Sequence, residues 1–457
     1  MAYKTALSGN VYSFPDVKTV LAKANEEKSG DAILGIGAES LRERMAAKYV
    51  LSNLTLEELR KNPVVPHEID EVTRVIDSMV NETIYNEIKS WTVGEFREYI
   101  LSYDATPSEI ARIRCALTGE MVAGVAKLMT NMDLVYASRK MRVTSKCTYE
   151  IGLPGTISSR IQPNHPTDDV SGIIASTLEG LSYGTGDCVL GVNPVEDSAS
   201  NTKKVLETLY EIMTKLKIPT HTCVLSHLTS QMDAVRQGAP ASMLFQSLAG
   251  TESANTAFGI NEQLLDEAHE LIQKYGISPG PNLMYFETGQ GSEQSLDCDH
   301  GADEMTLEAR CYGYAKRYKP FMVNNVSGFI GPETLYDGKQ ILRASLEDHF
   351  MGKLTGLPMG MAPCYTNHTK IDQNDQETAT MLLTMAGSNY FMSVPMGDDV
   401  MLSYQDTSCH DNATFREIME LTPAHEFFEW AKSWGILDDK GRLTNIAGDA
   451  SIFNYKG

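Results

Sequence analysis

Several short apolar segments of this sequence end in side chains that can hydrogen-bond or carry charge. The set has one guanidinium, one carboxylate, several amides and a few small or apolar groups: Arg160, Gln162, Asn193, His227, Ser247, Glu287, Asn324, Asn325, Phe329, Cys364 and Met392. Arg160 can donate to an oxygen, and Gln162 and Asn193 can donate or accept. Glu287 can accept from an ammonium group and pair with it. These groups suit a small polar molecule that carries a hydroxyl and an amine.

The polar residues of this set also have structural interpretations. Arg160 can form an ion pair with an aspartate at 168–169, and Gln162 and Asn193 can tie loops together. Glu287 can be a buried structural carboxylate that precedes the turn Thr288-Gly-Gln-Gly291. Sequence alone leaves these alternatives open.

Hydrolytic and zinc chemistry have no support in the sequence. It contains no GxSxG elbow and no Ser–His–Asp order. It also lacks HExxH, paired-histidine and cysteine-rich spacings, so we predict no bound metal. A structural histidine is the favoured interpretation of His227, and a loop-and-cap role that of Asp398-Asp399.

The elements that must position these side chains alternate along the chain. Eight apolar segments recur: Ile151 to Gln162, Cys188 to Asn193, Thr222 to His227, Met243 to Ser247, Leu283 to Glu287, Phe321 to Phe329, Leu357 to Cys364 and Tyr390 to Pro395. Helical patterns follow them over 169–181, 198–216, 229–237, 261–275, 302–318, 340–352, 374–387 and 412–435. This alternation predicts a parallel (β/α)8 TIM barrel, whose active site lies at the carboxyl ends of the strands. An open doubly wound sheet is the alternative, but no GxGxxG turn or P-loop supports it.

The N-terminal part of the chain has a different pattern. Apolar residues recur at helical spacing over 37–52, 68–90 and 93–102, and Thr55-Leu-Glu-Glu58 has the spacing of a capping box. We therefore predict a smaller helical N-terminal domain over 1–110, the barrel over 111–437 and a C-terminal tail over 438–457.

Composition excludes several functional classes. Lys and Arg number 39 against 60 Asp and Glu, and the net charge of −21 opposes nucleic-acid binding. No apolar run reaches the roughly 20 residues that span a bilayer, so we expect no membrane partner. The eight cysteines are scattered and the N-terminus lacks a signal-peptide core. These features predict a cytoplasmic protein with reduced thiols.

Long motifs in the sequence carry a resemblance to one enzyme family. They are Gln162-Pro-Asn164, Gly191-Val-Asn-Pro194, Phe245-Gln-Ser247, Tyr285-Phe-Glu-Thr-Gly-Gln-Gly-Ser292, Gly328-Phe-Ile-Gly-Pro-Glu333, Glu347-Asp-His-Phe-Met-Gly-Lys353, Cys364-Tyr-Thr-Asn-His368 and Gly397-Asp-Asp399. In this order they resemble the large, catalytic subunit of ethanolamine ammonia-lyase over nearly the whole chain. The family fold is also a (β/α)8 barrel behind a helical N-terminal part.

The resemblance implies a radical deamination. Adenosylcobalamin would generate an adenosyl radical that removes a hydrogen from the hydroxyl-bearing carbon of ethanolamine, and the product would collapse to acetaldehyde and ammonia. It also implies a separate small subunit that shares the cobalamin, and a homo-oligomer of large subunits within a hetero-oligomer. Enclosure in a bacterial microcompartment stays open.

The family motifs assign roles to individual positions. Arg160, Gln162 and Asn193 would hold the substrate hydroxyl, and Gln162 and Glu287 would hold the amine, so Arg160 and Glu287 are the predicted catalytic residues. The residues lining the cofactor side would be Pro194, Gln246, Ser247, Ser295, Phe329 and Met401. No Asp-x-His-x-x-Gly run is present, so a histidine of this chain is not expected to replace the cofactor's own base.

Two positions depart from the family pattern. The family carries an aspartate two residues before the cysteine of Cys-Tyr-Thr-Asn-His, where this chain has Ala362. A second carboxylate at the substrate amine is therefore missing, unless another group compensates for the lost charge; His165 and Asp299 are the nearest candidates by sequence. The family also has a glutamate before Phe258-Gly259 that contacts the cofactor ribose, where this chain has Ala257.

The departure at Ala362 leaves three functions to weigh. The first is deamination of ethanolamine. The second is the same radical chemistry on another vicinal amino alcohol, with an extra substituent in the space beside Ala362. The third is an inactive paralogue that serves assembly or regulation, which the presence of Arg160, Gln162, Asn193 and Glu287 argues against.

Overall fold

The computed structural model describes residues 2–456. The chain begins with an antiparallel hairpin of strands Tyr3–Leu7 and Asn10–Phe14. Helices then follow at Val17–Ala24, Ser29–Ile33, Leu41–Asn53, Leu56–Lys61, Glu71–Ser78, Glu82–Ile88, Val93–Leu101, Pro107–Ile113, Gly119–Lys127 and Asn131–Lys140, with 3-10 turns at His67–Ile69 and Arg114–Ala116. A short hairpin, Ser145–Lys146 with Glu150–Ile151, precedes the barrel.

The structure confirms one predicted helix start in this region and divides one predicted helix into two. The capping box at Thr55 and Glu58 is confirmed, because each side chain bonds the other's backbone N–H. The helical segment predicted over 68–90 is two helices. Asn81 lies between them and its Oδ1 accepts from the backbone N–H groups of Thr83 and Ile84, so a new helix begins there.

The barrel predicted from the sequence is confirmed. Its strands are β1 Ser158–Ile161, β2 Val189–Val192, β3 Thr222–Val224, β4 Leu244–Ser247, β5 Met284–Thr288, β6 Met322–Val326, β7 Met359–Ala362 and β8 Tyr390–Ser393. The strands pair in parallel in the order β3-β2-β1-β8-β7-β6-β5-β4. The N–H of Ser242 donates to the carbonyl of Thr222 at 3.2 Å, which joins the segments at the two ends of this order.

Helices surround the strands and alternate with them along the chain. They are α1 Val170–Ser182, α2 Ala199–Lys215, α3 Leu228–Arg236, α4 Glu262–Tyr275, α5 Glu304–Ala315, α6 Gly338–Thr355, α7 Gln373–Ala386 and α8 Cys409–Ile418. Shorter elements are Glu252–Ala257, Ser292–Ser295, Lys316–Tyr318 and Pro395–Gly397, and His425–Ser433 and Ala450–Phe453 close the chain. The apolar faces of these helices pack on the strands and form one continuous core with the N-terminal helices.

Buried ion pairs join the N-terminal helices to α5 and α6. On α5, Arg310 donates to Asp70 at 2.6 Å and to Glu120 at 2.7 Å. On α6, Glu347 accepts from Lys28 at 2.6 Å. Removing one partner of such a pair leaves an uncompensated buried charge, so these contacts fix how the helical region sits on the barrel.

A small antiparallel sheet lies beyond the barrel strands β7 and β8. Tyr404–Gln405 is its central strand, between Tyr365–Thr366 and Asp398–Asp399. Because it follows β7 and β8 directly, it places Asp399, Tyr404 and Asp406 near the carboxyl ends of the strands. In the described part of the chain, no helix combines the length and apolarity needed to cross a bilayer.

Candidate active site

The carboxyl ends of the barrel strands surround a cavity of about 480 Å³. Its wall combines polar and apolar side chains, and most of the exposed wall surface is apolar: Gln162, Asn193, Asp197, Leu225, Ser226, His227, Phe245, Gln246, Ser247, Leu248, Phe258, Glu287, Thr288, Gly289, Ser292, Val326, Phe329, Ile330, Leu402 and Tyr404. A cavity in this position is where the fold places active sites.

Arg160 lies on β1 with its side chain almost fully buried below this cavity. Its Nη1 donates to Glu287 Oε1 and to the Tyr285 hydroxyl, both at 2.9 Å, and its Nη2 donates to Asn193 Oδ1 at 2.9 Å. Burial lowers the pKa of Arg160, but the neighbouring groups, of which Tyr285 and Glu287 act most strongly, together raise it above its usual value, so the guanidinium stays charged. Arg160 therefore pairs with Glu287 and does not form the alternative ion pair with Asp168 or Asp169.

Gly191 on β2 makes room for this guanidinium. A Cβ at this position would lie 2.7 Å from Arg160 Nε, closer than side-chain carbons approach. A glycine is therefore required for the fork to lie across β2 and reach Asn193 at the strand end.

Glu287 on β5 presents one oxygen to the protein and leaves the other free. Its Oε1 accepts from Arg160, from Tyr285 and, at 3.2 Å, from Asn324 Nδ2. Among residues 2–456, no donor bonds Oε2, and the side chain is 14% exposed at the cavity. Glu287 is thus held in place while one carboxylate oxygen can accept from a ligand.

Gln162 is held by the small sheet beyond the barrel. Its Nε2 donates to Asp399 Oδ2 at 2.6 Å and to the Tyr404 hydroxyl at 2.7 Å. Asp399 also accepts from Asn164 Nδ2 at 2.8 Å and from the backbone N–H of Leu402 at 2.7 Å. With its amide nitrogen bonded, the carbonyl oxygen of Gln162, to which no donor bonds among residues 2–456, is the group left to accept at the cavity that Gln162 lines.

Ala362, at the end of β7, is fully buried in a small cluster with Cys364, Met392 and Tyr404. Neither residue predicted to compensate for the lost charge makes a hydrogen bond at Ala362. The Nδ1 of His165 accepts from the backbone N–H groups of Thr167 and Asp169 in the loop before α1. The Oδ1 of Asp299 accepts from the N–H of Gly301 in a loop turn.

Comparison with known proteins decides the family. The family model described as ethanolamine ammonia lyase large subunit (EutB) matches residues 12–446. The chain is 52% identical to the ethanolamine ammonia-lyase large subunits of Escherichia coli (strain K12) and Salmonella typhimurium (strain LT2), over 99% of this chain and 100% of each relative. The chain belongs to the ethanolamine ammonia-lyase large-subunit family. The resemblance stated from the motifs is confirmed.

The residues predicted for the cofactor side of this ammonia-lyase family member lie on or beside the cavity wall. Gln246, Ser247 and Phe329 line it. The other three are neighbours in sequence of lining residues: Pro194 follows Asn193, Ser295 shares a helical turn with Ser292, and Met401 precedes Leu402. Ala257 is exposed, one residue before the lining Phe258, and adds no polar group there.

Three predicted strand-end residues make structural contacts instead of presenting a free polar group to the substrate. Asn325 Nδ2 donates away from the cavity to Asp348 on α6 at 2.8 Å. His227 caps α3, and its Nδ1 accepts from the N–H of Thr229. Cys364 is fully buried beside Ala362, and burial raises the pKa of its thiol well above the usual value.

Sequence reasoning missed four groups that shape the site of this family member. Tyr285 and Asn164 lie within motifs quoted above, but their contacts with Glu287 and Asp399 depend on strand register. Asp399 has the predicted loop role through Oδ1, which accepts from the N–H groups of Met401 and Leu402, but its contact with Gln162 through Oδ2 was not predicted. Tyr404 follows a segment with no strand pattern, and only the three-dimensional fold brings it to the cavity.

Proposed function

We propose that the chain is the catalytic subunit of an adenosylcobalamin-dependent ammonia-lyase that converts ethanolamine to acetaldehyde and ammonia. The observation that carries the proposal is the buried Arg160–Glu287 pair at the mouth of a barrel of this family, with Asn193 on one side and a free Glu287 oxygen on the other. One end of this arrangement suits a hydroxyl and the other suits an ammonium.

At the hydroxyl end, Arg160 and Asn193 act together. The guanidinium holds Asn193 Oδ1 at 2.9 Å, so the amide of Asn193 faces the cavity with its nitrogen available to donate. A charged donor network around the hydroxyl oxygen stabilises negative charge that develops there when the neighbouring C–H bond is broken. The planar fork keeps its orientation because it bonds both β2 and β5 partners.

At the amine end, Glu287 and Gln162 offer acceptors. Glu287 Oε2 can accept from an ammonium group, and a hydrogen bond between charged groups is about twice as strong as a neutral one. The Gln162 carbonyl can take a second ammonium hydrogen, because its amide nitrogen is already held by Asp399 and Tyr404. These contacts fix which carbon of a two-carbon substrate faces the open cavity.

The cavity fits a cofactor that brings a bulky, largely uncharged group to the substrate. Its wall is mostly apolar, with amide and hydroxyl groups at Gln246 and Ser247 and an aromatic face at Phe329. When bound, adenosylcobalamin supplies the radical that removes the hydrogen atom. The apolar wall, including Phe245, Val326 and Leu402, keeps water from the reacting atoms.

We further propose that the chain works with a small subunit in a hetero-oligomer, as the names of its relatives imply. The test is to combine the chain with a small subunit and adenosylcobalamin and to measure ammonia and aldehyde from a panel of amino alcohols. We expect equal amounts of ammonia and acetaldehyde from ethanolamine. Faster turnover of 2-amino-1-propanol would instead favour a branched substrate in the space beside Ala362, and no turnover of any amino alcohol would contradict the proposal.

A further inference from the structure

Two buried carboxyl groups besides Glu287, those of Asp399 and Asp406, lie on the segment that carries the cavity-lining residues Leu402 and Tyr404. Arg160 forms its ion pair with Glu287. Asp399 is satisfied by side-chain and backbone donors, namely Gln162 and Asn164 together with the N–H groups of Met401 and Leu402. Asp406 is a further buried carboxylate whose relative exposure is only 2%.

Within residues 2–456, only one oxygen of Asp406 is hydrogen-bonded. Its Oδ1 accepts from the backbone N–H of Thr407 at 2.7 Å. Its Oδ2 is buried and has no hydrogen-bond partner among the described residues. Asn324 Oδ1, on the residue that donates to Glu287, is a second buried acceptor without a partner in the same part of the chain. A buried polar atom without a hydrogen-bond partner costs free energy, so two of them close to the site indicate that a partner is missing.

The backbone places Asp406 beside Ala362. Thr407 Oγ1 donates to the carbonyl of Met392 at 2.5 Å, so the segment that carries Asp406 runs along the end of β8. Met392 packs against Ala362 of the neighbouring strand β7, in the same cluster as Cys364 and Tyr404. Asp406 therefore approaches the site from the sheet beyond the barrel, where position 362 offers only a methyl group.

The charges around Asp406 are those of the substrate site. Burial raises the pKa of Asp406 to about 8; Arg160 opposes this rise and Glu287 adds to it. Asp406 in turn raises the pKa values of the Tyr404 hydroxyl and the Cys364 thiol, after the larger effect of their burial. Arg160 and Glu287 are the charged groups that most affect the pKa of Asp406, and neither is hydrogen-bonded to it. A cation that enters the site would therefore be its first direct charged partner.

We propose that Asp406 is a second carboxylate for the substrate amine. It lies in the loop after β8 and supplies a negative charge there, whereas Ala362, at the end of β7, supplies none. The inference rests on the proposed function, because it takes the bound cation to be the ammonium of an amino alcohol. Glu287 Oε2, on β5, and Asp406 Oδ2, in the loop after β8, then both accept from the ammonium, and Asn324 Oδ1 accepts a remaining hydrogen.

Ammonium binding should draw the proton from Asp406, because a neighbouring positive charge favours the ionised carboxylate. The experiment measures steady-state kinetics and isothermal titration calorimetry on the assembled complex with ethanolamine, in buffers of different ionisation enthalpy at pH 7. For Asp406→Asn we expect KM to rise at least tenfold and the proton release seen with the unmodified complex to disappear. Asp398→Asn, an exposed carboxylate on the same small sheet, is the matched control and should change KM less than twofold.

The double variant Ala362→Asp with Asp406→Asn moves the carboxylate back to β7. We expect it to lower KM to within threefold of the unmodified complex, which a purely structural role for Asp406 does not predict. If Asp406→Asn does not fold, Asp406→Ser, which keeps a small polar side chain and removes the carboxylate, takes its place with the same expected rise in KM and loss of proton release. Unchanged KM and proton release in Asp406→Asn, or absence of proton release in the unmodified complex, overturns the inference while ammonia production stands. Failure of the unmodified complex to release ammonia overturns the proposed function itself.

Discussion

Replacing Glu287 by glutamine removes one negative charge and keeps the shape of the side chain. Three donors converge on Glu287 Oε1, from Arg160, Tyr285 and Asn324, and an amide oxygen can still accept from them. The other oxygen becomes an NH₂ group, which donates and cannot accept. The substrate ammonium would then meet a donor where it now meets a free carboxylate oxygen.

The size of the effect follows from these contacts. A hydrogen bond to a charged group contributes about 1.5–3 kcal/mol, and the glutamine removes the one to the ammonium. It also leaves the buried Arg160 guanidinium without its paired charge, which adds to the cost. We therefore expect kcat/KM for ethanolamine to fall at least 100-fold, equivalent to about 2.7 kcal/mol of transition-state stabilisation.

The assay is initial-rate ammonia release by the assembled complex, with thermal unfolding of each variant as the check on folding. Glu308→Gln is the control: Glu308 on α5 is fully buried and accepts from Thr288 Oγ1 at 2.7 Å, but it does not line the cavity. We expect it to change kcat/KM less than threefold. A loss below fivefold in a folded Glu287→Gln complex would refute the reasoning, since another group would then carry the amine.

Three further outcomes are expected. Arg160→Lys keeps the charge but not the fork, so kcat/KM should fall at least tenfold, and near-normal turnover would reduce Arg160 to a field effect. Gly191→Ala places a Cβ 2.7 Å from Arg160 Nε, so differential scanning calorimetry should show a loss of about 1–3 kcal/mol together with reduced activity; unchanged values would contradict the tight approach. Burial raises the pKa of Asp406 to about 8, against about 4 in an unfolded chain, so the folded state holds this proton between those values and loses stability as pH rises through them. The stabilisation of Asp406→Asn relative to the unmodified protein, followed by thermal shift, should therefore grow from pH 5 to pH 8.5, and a pH-independent difference would count against a buried carboxyl with a raised pKa.

The barrel could be predicted from sequence because its strands are buried on both faces. Such strands appear as short continuous apolar runs, and helical periodicity between them sets their number. The strand ends then place Arg160, Asn193 and Glu287 at one mouth, where the structure brings them into direct contact. Helix breaks were harder, since a polar cap such as Asn81 inside a periodic segment looks like one more exposed position.

The small sheet beyond β7 and β8 could not be predicted in the same way. Its strands are only two residues long, too short to show alternation. Yet it carries Asp399 and Tyr404, which hold Gln162, and leads directly to Asp406. The charge missing at Ala362 was visible in the sequence, but its replacement comes from a residue 44 positions later (362 to 406) whose place depends on this sheet.

The most direct test of the account is the position of ethanolamine in an experimental structure of the assembled complex. We predict the hydroxyl oxygen within hydrogen-bonding distance of Arg160 or Asn193, and the amine nitrogen within hydrogen-bonding distance of Glu287 Oε2, on the side that faces Asp406. Ethanolamine bound in the opposite orientation, or outside the cavity at the mouth of the barrel, would contradict the account.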